Sequence, residues 1–260
     1  MTEKYSCILR LKTSPKNFEQ VLDKVLDSLP YEPNSVYCFF NEFKRPPDKE
    51  ITFDKDYLLK NVSTEEMKGI TSMSIYDTNY KPGQVTPFLR LSFNVAELES
   101  DSSISIEWVY FDNLDFLVEK DWIIEHFIDS HTSLSFCYLF NQNDTLEQSK
   151  KEESWLKKSW GKRIIHKGIH FQAAPIMYFG NRFEPSLNLN DLTKLGTRYN
   201  ESVVKVELGD LNSDPKHYRV NQKRFWTKMK LESVLKEYKE KTKTSFTEVL
   251  KRRKELSKQK

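Results

Sequence analysis

Glycine is scarce in this chain, at seven of 260 residues. The sequence holds neither a Gly-x-x-x-x-Gly-Lys nor a Gly-x-Gly-x-x-Gly run. It therefore lacks the usual loop whose backbone amides cradle a phosphate. Cysteine is nearly as sparse. Cys7, Cys38 and Cys137 lie far apart, each inside an apolar stretch. That spacing excludes a zinc ribbon or finger and reads as reduced core thiols in a reducing compartment. Long apolar runs are missing too. The longest, Phe136 to Phe140, falls far short of the ~20 residues a membrane span needs. Met1 to Arg10 has no apolar segment of the secretory-signal kind. These absences predict a cytoplasmic chain with no membrane partner and no cofactor.

Catalytic patterns are also wanting. No Gly-x-Ser-x-Gly elbow occurs. His166 and His170 are four residues apart, but Gly168 between them suggests extended chain, where they would stand ~13 Å apart, too far to share an ion. No metal site is expected. Asp112, Asp115, Glu119 and Asp121 cluster at a strand–helix junction. They could hold a divalent ion in an unrecognised hydrolase, although acids at a helix start are favoured by the helix dipole alone.

What the chain does have is aromatic residues, 13% of the total, and a lopsided charge. Residues 216–260 carry 16 Lys/Arg against 5 Asp/Glu, whereas residues 48–153 carry 21 acids against 9 bases. Glu97 to Asp129 alone holds ten acids and one lysine. A surface of that sign suits a basic partner, for which charge complementarity raises the on-rate and fixes orientation.

Periodicity gives the elements. Tyr5–Leu11, Val36–Phe43, Phe88–Val95, Ile104–Tyr110 and Ser133–Phe140 read as strands, and Ser202–Leu208 as another. Ser14-Pro15 opens a helix carrying Phe18, Val21, Leu22, Val25 and Leu26 on one face. Capping-box patterns at Ser63–Glu66, Ser149–Glu152 and Ser245–Glu248 each predict a helix start. Asn113 can cap a helix reaching Asp129, and Gly196 is placed to end a helix over Leu189–Leu195. The strands alternate rather than running continuously apolar. An α+β fold is therefore expected, with an antiparallel or mixed sheet and helices mainly on one face. Residues 1–215 form the body, with a possible internal boundary at 141–149, and 216–260 form a basic amphipathic helical tail. The tail can dock on the body through its apolar stripe or contact nucleic acid, although its interleaved acids argue against a phosphate-binding face. The stretch Ala173 to Phe183 reads as a core strand ending in a Gly turn, or as an exposed cluster of Tyr178, Phe179, Arg182 and Phe183, types that dominate binding hot spots.

The strand–helix opening capped at Ser14 is followed by the acidic, aromatic run Ile104-Ser105-Ile106-Glu107-Trp108-Val109-Tyr110-Phe111-Asp112. Later come the strand Pro175–Gly180 and the short helix closed by Gly196. Over roughly residues 1–210 this combination resembles the immunity proteins of bacterial polymorphic-toxin systems, which neutralise toxins delivered by contact-dependent or type VI-like secretion. The resemblance implies a non-enzymatic protein that occludes the active site of a cognate toxin, and it assigns no residue roles. A basic nuclease toxin would suit the acidic centre. The expected partner-binding residues are Glu107, Asp112, Asp115, Glu119, Asp121, Tyr178, Phe179, Arg182 and Phe183. The alternatives are a nucleic-acid-associated protein using residues 216–260 and an unrecognised hydrolase.

Overall fold

Tyr5–Thr13 forms strand β1, and every one of its residues is buried. A strand buried on both faces must lie inside a sheet that is covered on both sides. The computed structural model shows this, and it describes residues 4–29, 31–40, 49–65, 68–77, 87–96, 98–112, 114, 122–141, 164–212 and 215–258. After β1, Ser14 Oγ accepts from the Lys16 amide and Pro15 begins a 3-10 turn, which leads into helix α1 (Phe18–Asp27). Strands β2 (Ser35–Phe40) and β3 (Lys49–Thr52) follow, then α2 (Lys55–Asn61), β4 (Ile70–Tyr76), β5 (Phe88–Asn94) and β6 (Ser103–Phe111). Next come α3 (Trp122–Phe127), β7 (Thr132–Asn141), and the short β8 (Ile164–His166) and β9 (Ile169–Phe171). The chain continues through β10 (Ile176–Gly180), α4 (Leu189–Leu192), β11 (Thr197–Arg198) and β12 (Val203–Glu207). It closes with helices α5 (Pro215–Lys228), α6 (Leu231–Lys241) and α7 (Phe246–Lys258).

Ten of the strands make one sheet in the order β11-β12-β10-β7-β1-β6-β5-β4-β2-β3, and β8-β9 form a separate hairpin. The strand pairs are antiparallel. The α+β antiparallel architecture is therefore the one the alternation predicts.

The helices, expected mainly on one face, cover both. Cys7, Leu9 and Leu11 of β1 point into a first core with Phe18, Val21 and Leu22 of α1, Leu58 of α2, and Ile123 and Phe127 of α3. Ile8 of β1 points the other way. It joins Phe136, Tyr138 and Phe140 of β7, Met177 and Phe179 of β10, and Val204 and Val206 of β12 in a second core. That core is roofed by Phe225 and Trp226 of α5 and by Leu231, Leu235 and Tyr238 of α6. The reason is local: β7, β10 and β12 are apolar at positions of both parities, so each face demands cover. Removing a ring such as Phe136 or Phe225 would cost about 3–5 kcal/mol.

Several local expectations change. Ser63 does not start a helix. Its hydroxyl donates to the Glu65 carbonyl, and Val62 bridges to Ile70. The helix lies earlier, at α2, where Asp54 accepts from the Tyr57 amide. Gly196 is not a left-handed helix end. A Cβ there would stand 2.1 Å from the Lys205 carbonyl oxygen, so glycine permits a close approach to β12. His166 and His170 sit on different strands, because Lys167 (φ 51) and Gly168 (φ 75) turn the chain back as a tight hairpin. The capping box at Ser149–Glu152 lies outside the described residues. The one at Ser245 is formed: the Ser245 amide donates to Glu248 (2.9 Å) and the Glu248 amide to Ser245 Oγ (3.1 Å).

All three thiols are buried. Burial pushes Cys38 up to about 11 and raises Cys7 well above its ordinary value, with Cys137 Sγ only 3.5 Å away adding to the effect. The thiolate is the reactive form. A chromogenic disulfide reagent at neutral pH should therefore label none of the three in the native chain and all three in denaturant.

Candidate partner-binding surface

The pairing register decides which side chains share the second face beyond the roof of α5 and α6. Ile8 pairs with Glu107, Glu107 with Arg90, Arg90 with Ser74, and Ser74 with Tyr37. Directly paired residues project to the same side. The face therefore continues across β6, β5, β4 and β2. It carries Ser105 and Glu107, then Phe88, Arg90 and Ser92, then Ser72 and Ser74, then Tyr37 and Phe39. The second core takes no side chain from β2, β4 or β5. Apart from buried Ser74, these nine side chains are half-buried or exposed.

Aromatic rings and an arginine organise this open half. Tyr37 and Phe39 meet edge to face at 5.0 Å, and Phe88 lies 5.4 Å from Tyr76. The Arg90 guanidinium sits 5.1 Å from the Phe88 ring centroid, within cation–π range. Ser72 donates to the Leu91 carbonyl at 2.8 Å and shares a hydrogen bond with Ser92. A bulge in β6 finishes the set. Tyr5 pairs with Phe111 but Cys7 with Trp108, and Tyr110 in between has φ 64. A left-handed tyrosine is strained, and the bulge turns its ring to 6.2 Å from Phe88.

The boundary between the roofed and open halves is charged. Arg10 and Lys12, on the second face of β1, are only 7% and 8% exposed at their side chains. Both reach Glu184, at 3.3 and 2.6 Å. Arg10 also donates to the Gly168 carbonyl (3.1 Å) and Lys12 to the Asp101 carbonyl (3.1 Å). The hairpin is thus tied to β1. Its His170 lies 4.0 Å from Glu107, and Tyr138 donates to the His170 carbonyl at 3.0 Å. Tyr238 of α6 stands by the same group. Burial, then the Glu184 carboxylate, push its hydroxyl up to about 12, against the opposing pull of Arg10.

The residues singled out from the sequence are scattered over this architecture. Glu107 is on the open face beside His170. Asp112 is exposed and paired with Lys4. Asp115, Glu119 and Asp121 lie outside the described residues. Tyr178 and Phe179 are core residues, one on each face of the sheet, so the reading of an exposed aromatic cluster there is corrected. Arg182 is exposed but donates to the Ser100 carbonyl at 2.8 Å, and Phe183 packs on Phe136, Phe171 and Phe179. Among the described residues no group of three or more His, Cys, Asp or Glu could hold a metal ion.

The described acids do not converge either. Asp101 and Asp112 flank the two ends of β6, roughly 30 Å apart by strand rise. Glu99 pairs with Lys16, and Asp129 with Lys24. Tyr37, Phe39, Phe88 and Arg90 escaped the sequence reading. Their alternation with Cys38, Leu89 and Leu91 marks them as off the first core, but only the strand order shows that they sit together.

No family model matches this chain, and no curated protein matches it. A solved structure of Pseudomonas aeruginosa, described as T6SS protein PA0821, is similar with a TM-score of 0.49 and 10% identity, over 88% of this chain and 76% of that one. Likeness at that level assigns neither family nor activity. Among the described residues no helix is long and apolar enough to cross a membrane.

Neutralising Glu184 would leave two buried cations without a carboxylate. Glu184→Gln should lower unfolding stability by about 3 kcal/mol, as measured by urea denaturation, because breaking a buried pair strands the remaining charge.

Proposed function

We propose that this chain is a binding protein that neutralises a cognate toxin in the cytoplasm, and that the toxin docks on the open half of the second sheet face. The observation that carries the reading is the grouping of Tyr37, Phe39, Phe88 and Arg90 on an accessible, hydrogen-bonded sheet surface. Tyrosine and arginine supply much of the binding energy at protein interfaces, and a sheet holds them rigid, so little entropy is lost on docking. The bulge at Tyr110, which lets Trp108 and Phe111 both enter the first core, also adds a ring to the same surface.

The carboxylates have a different part in this reading. Spread over both ends of β6 and partly paired with lysines, they give a negative field that speeds the approach of a basic partner. They do not form the contact itself. The resemblance to polymorphic-toxin immunity proteins supports the finer identification of that partner as a toxin.

Affinity capture with the full chain from its native cells should return a small basic protein that inhibits growth when expressed alone. Phe39→Asp combined with Arg90→Glu should weaken that complex at least ~100-fold by titration, since two hot-spot losses of about 2 kcal/mol or more are combined. Arg90→Glu sets a like charge opposite Glu107 and lowers the melting temperature, so Phe39→Asp alone, at an exposed ring, is the variant whose melting temperature should stay close to that of the parent. A complex that survives the double substitution would refute the docking face.

A further inference from the structure

The basic tail divides into two parts. Helices α5 and α6 bury their apolar sides in the second core, but α7 does not. Phe246 is 76% exposed and Leu250 41% exposed. An isolated helix of 13 residues is marginal in water. Here the Ser245–Glu248 capping box starts it, and Phe246 and Leu250 of its apolar stripe are exposed while Val249 between them is half-buried.

The charges on α7 are arranged around that stripe. Glu248 and Glu255 are seven residues apart and both fall on the pole opposite Phe246, by 3.6 residues per turn. Lys251, Lys254 and Lys258 flank the stripe on one side and Arg252 on the other. Glu248 and Glu255 lie three or four positions from Lys251, Arg252 and Lys258 and so adjoin them on the far side of the helix, while no acid falls on the Phe246 side. The cationic surface also extends beyond α7. Lys236 and Lys239 of α6, and Lys243 in the turn, are exposed. That turn is fixed to the hairpin. Thr242 donates its hydroxyl to the Tyr238 carbonyl and accepts from His166 Nε2 at 2.7 Å, while Lys167 donates to Thr244 at 3.4 Å. Ile165, on the same hairpin, is 55% exposed.

We propose that α7, with the adjoining hairpin and turn, docks the chain on an anionic lipid surface. The helix would lie in the plane of the interface, with Phe246 and Leu250 among the acyl chains and the flanking cations at the headgroups. This departs from the sequence expectation of no membrane partner, because the helix leaves bare the apolar stripe that was expected to dock on the body. A phosphodiester backbone would use the cations but leave Phe246 and Leu250 without a role. A protein groove would engage the helix alone, whereas the cations continue onto α6 and the turn. The inference is independent of the toxin-docking reading, since it uses none of the open sheet face.

The test is co-sedimentation of the full chain with vesicles of phosphatidylcholine alone or containing about one part in three of phosphatidylglycerol. Partitioning should be at least ~10-fold stronger on the anionic vesicles. Phe246→Ser with Leu250→Ser, and separately Lys251→Glu with Arg252→Glu, should each remove most of it. Neither pair should move the melting temperature, and Phe39→Asp with Arg90→Glu should bind vesicles like the parent. Equal partitioning on both vesicle types, or none on either, would overturn the proposal. So would undiminished binding by the serine variant. Retention of a duplex oligonucleotide by the serine variant, lost in the glutamate variant, would identify nucleic acid as the ligand instead.

Discussion

Two cations on the innermost strand share one carboxylate, and much of the second face is arranged around that need. Arg10 and Lys12 belong to β1, which lies between β6 and β7 and is buried along its whole length. A charge in such a place must be paired or it destabilises the fold. Glu184 supplies the carboxylate, and the Gly168 and Asp101 carbonyls take further hydrogens. These contacts fix the hairpin, the segment after β10 and the connection between β5 and β6 to one strand. They also mark where the apolar roof stops. On one side Phe136 and Tyr138 lie under α5 and α6; on the other, Ser105, Arg90 and Ser72 are left to solvent or to a partner.

The sheet's chemistry was largely legible in the sequence, and its assembly was not. Alternation located β1, β5, β6, β7 and β12, because period-2 patterning survives whatever the neighbours are. The caps at Ser14 and Ser245 were legible for the same reason: a side chain bonding an amide two or three residues on is a local event. Helix α2 was missed because its apolar side is short and its cap is Asp54, not the Ser63 pattern that resembles a capping box. Of the two readings of Tyr178 and Phe179, core strand and exposed cluster, the sequence could not choose the first, because burial depends on β10 lying between β7 and β12, a fact about partners far away in the chain. Tyr37 and Arg90 form one surface only through β4, which lies between β2 and β5.

Charge shows the same division between composition and geometry. Ten acids within Glu97–Asp129 suggest one negative face. Among the described residues, β6 intervenes and puts Asp101 and Asp112 at its opposite ends, and lysines from Lys4 to Lys24 meet Glu99, Asp112 and Asp129. In the tail the mixing persists: along α7, Glu248 and Glu255 lie within a turn of Lys251 and Arg252, and only the side that carries Phe246 and Leu250 has no acid.

The central position of β1 has a consequence during synthesis. Its hydrogen-bonding partners are Ser103–Phe111 and Thr132–Asn141, some hundred residues further along the chain. At ~5–20 residues per second, the strand waits roughly 5–20 s after it leaves the ribosome before either neighbour exists. Throughout that interval Cys7, Ile8, Leu9 and Leu11 have no sheet to enter. The first segment of the sheet to be translated stays without both neighbours until β7 has been made, and a chaperone that holds extended apolar chain suits the nascent protein over that interval.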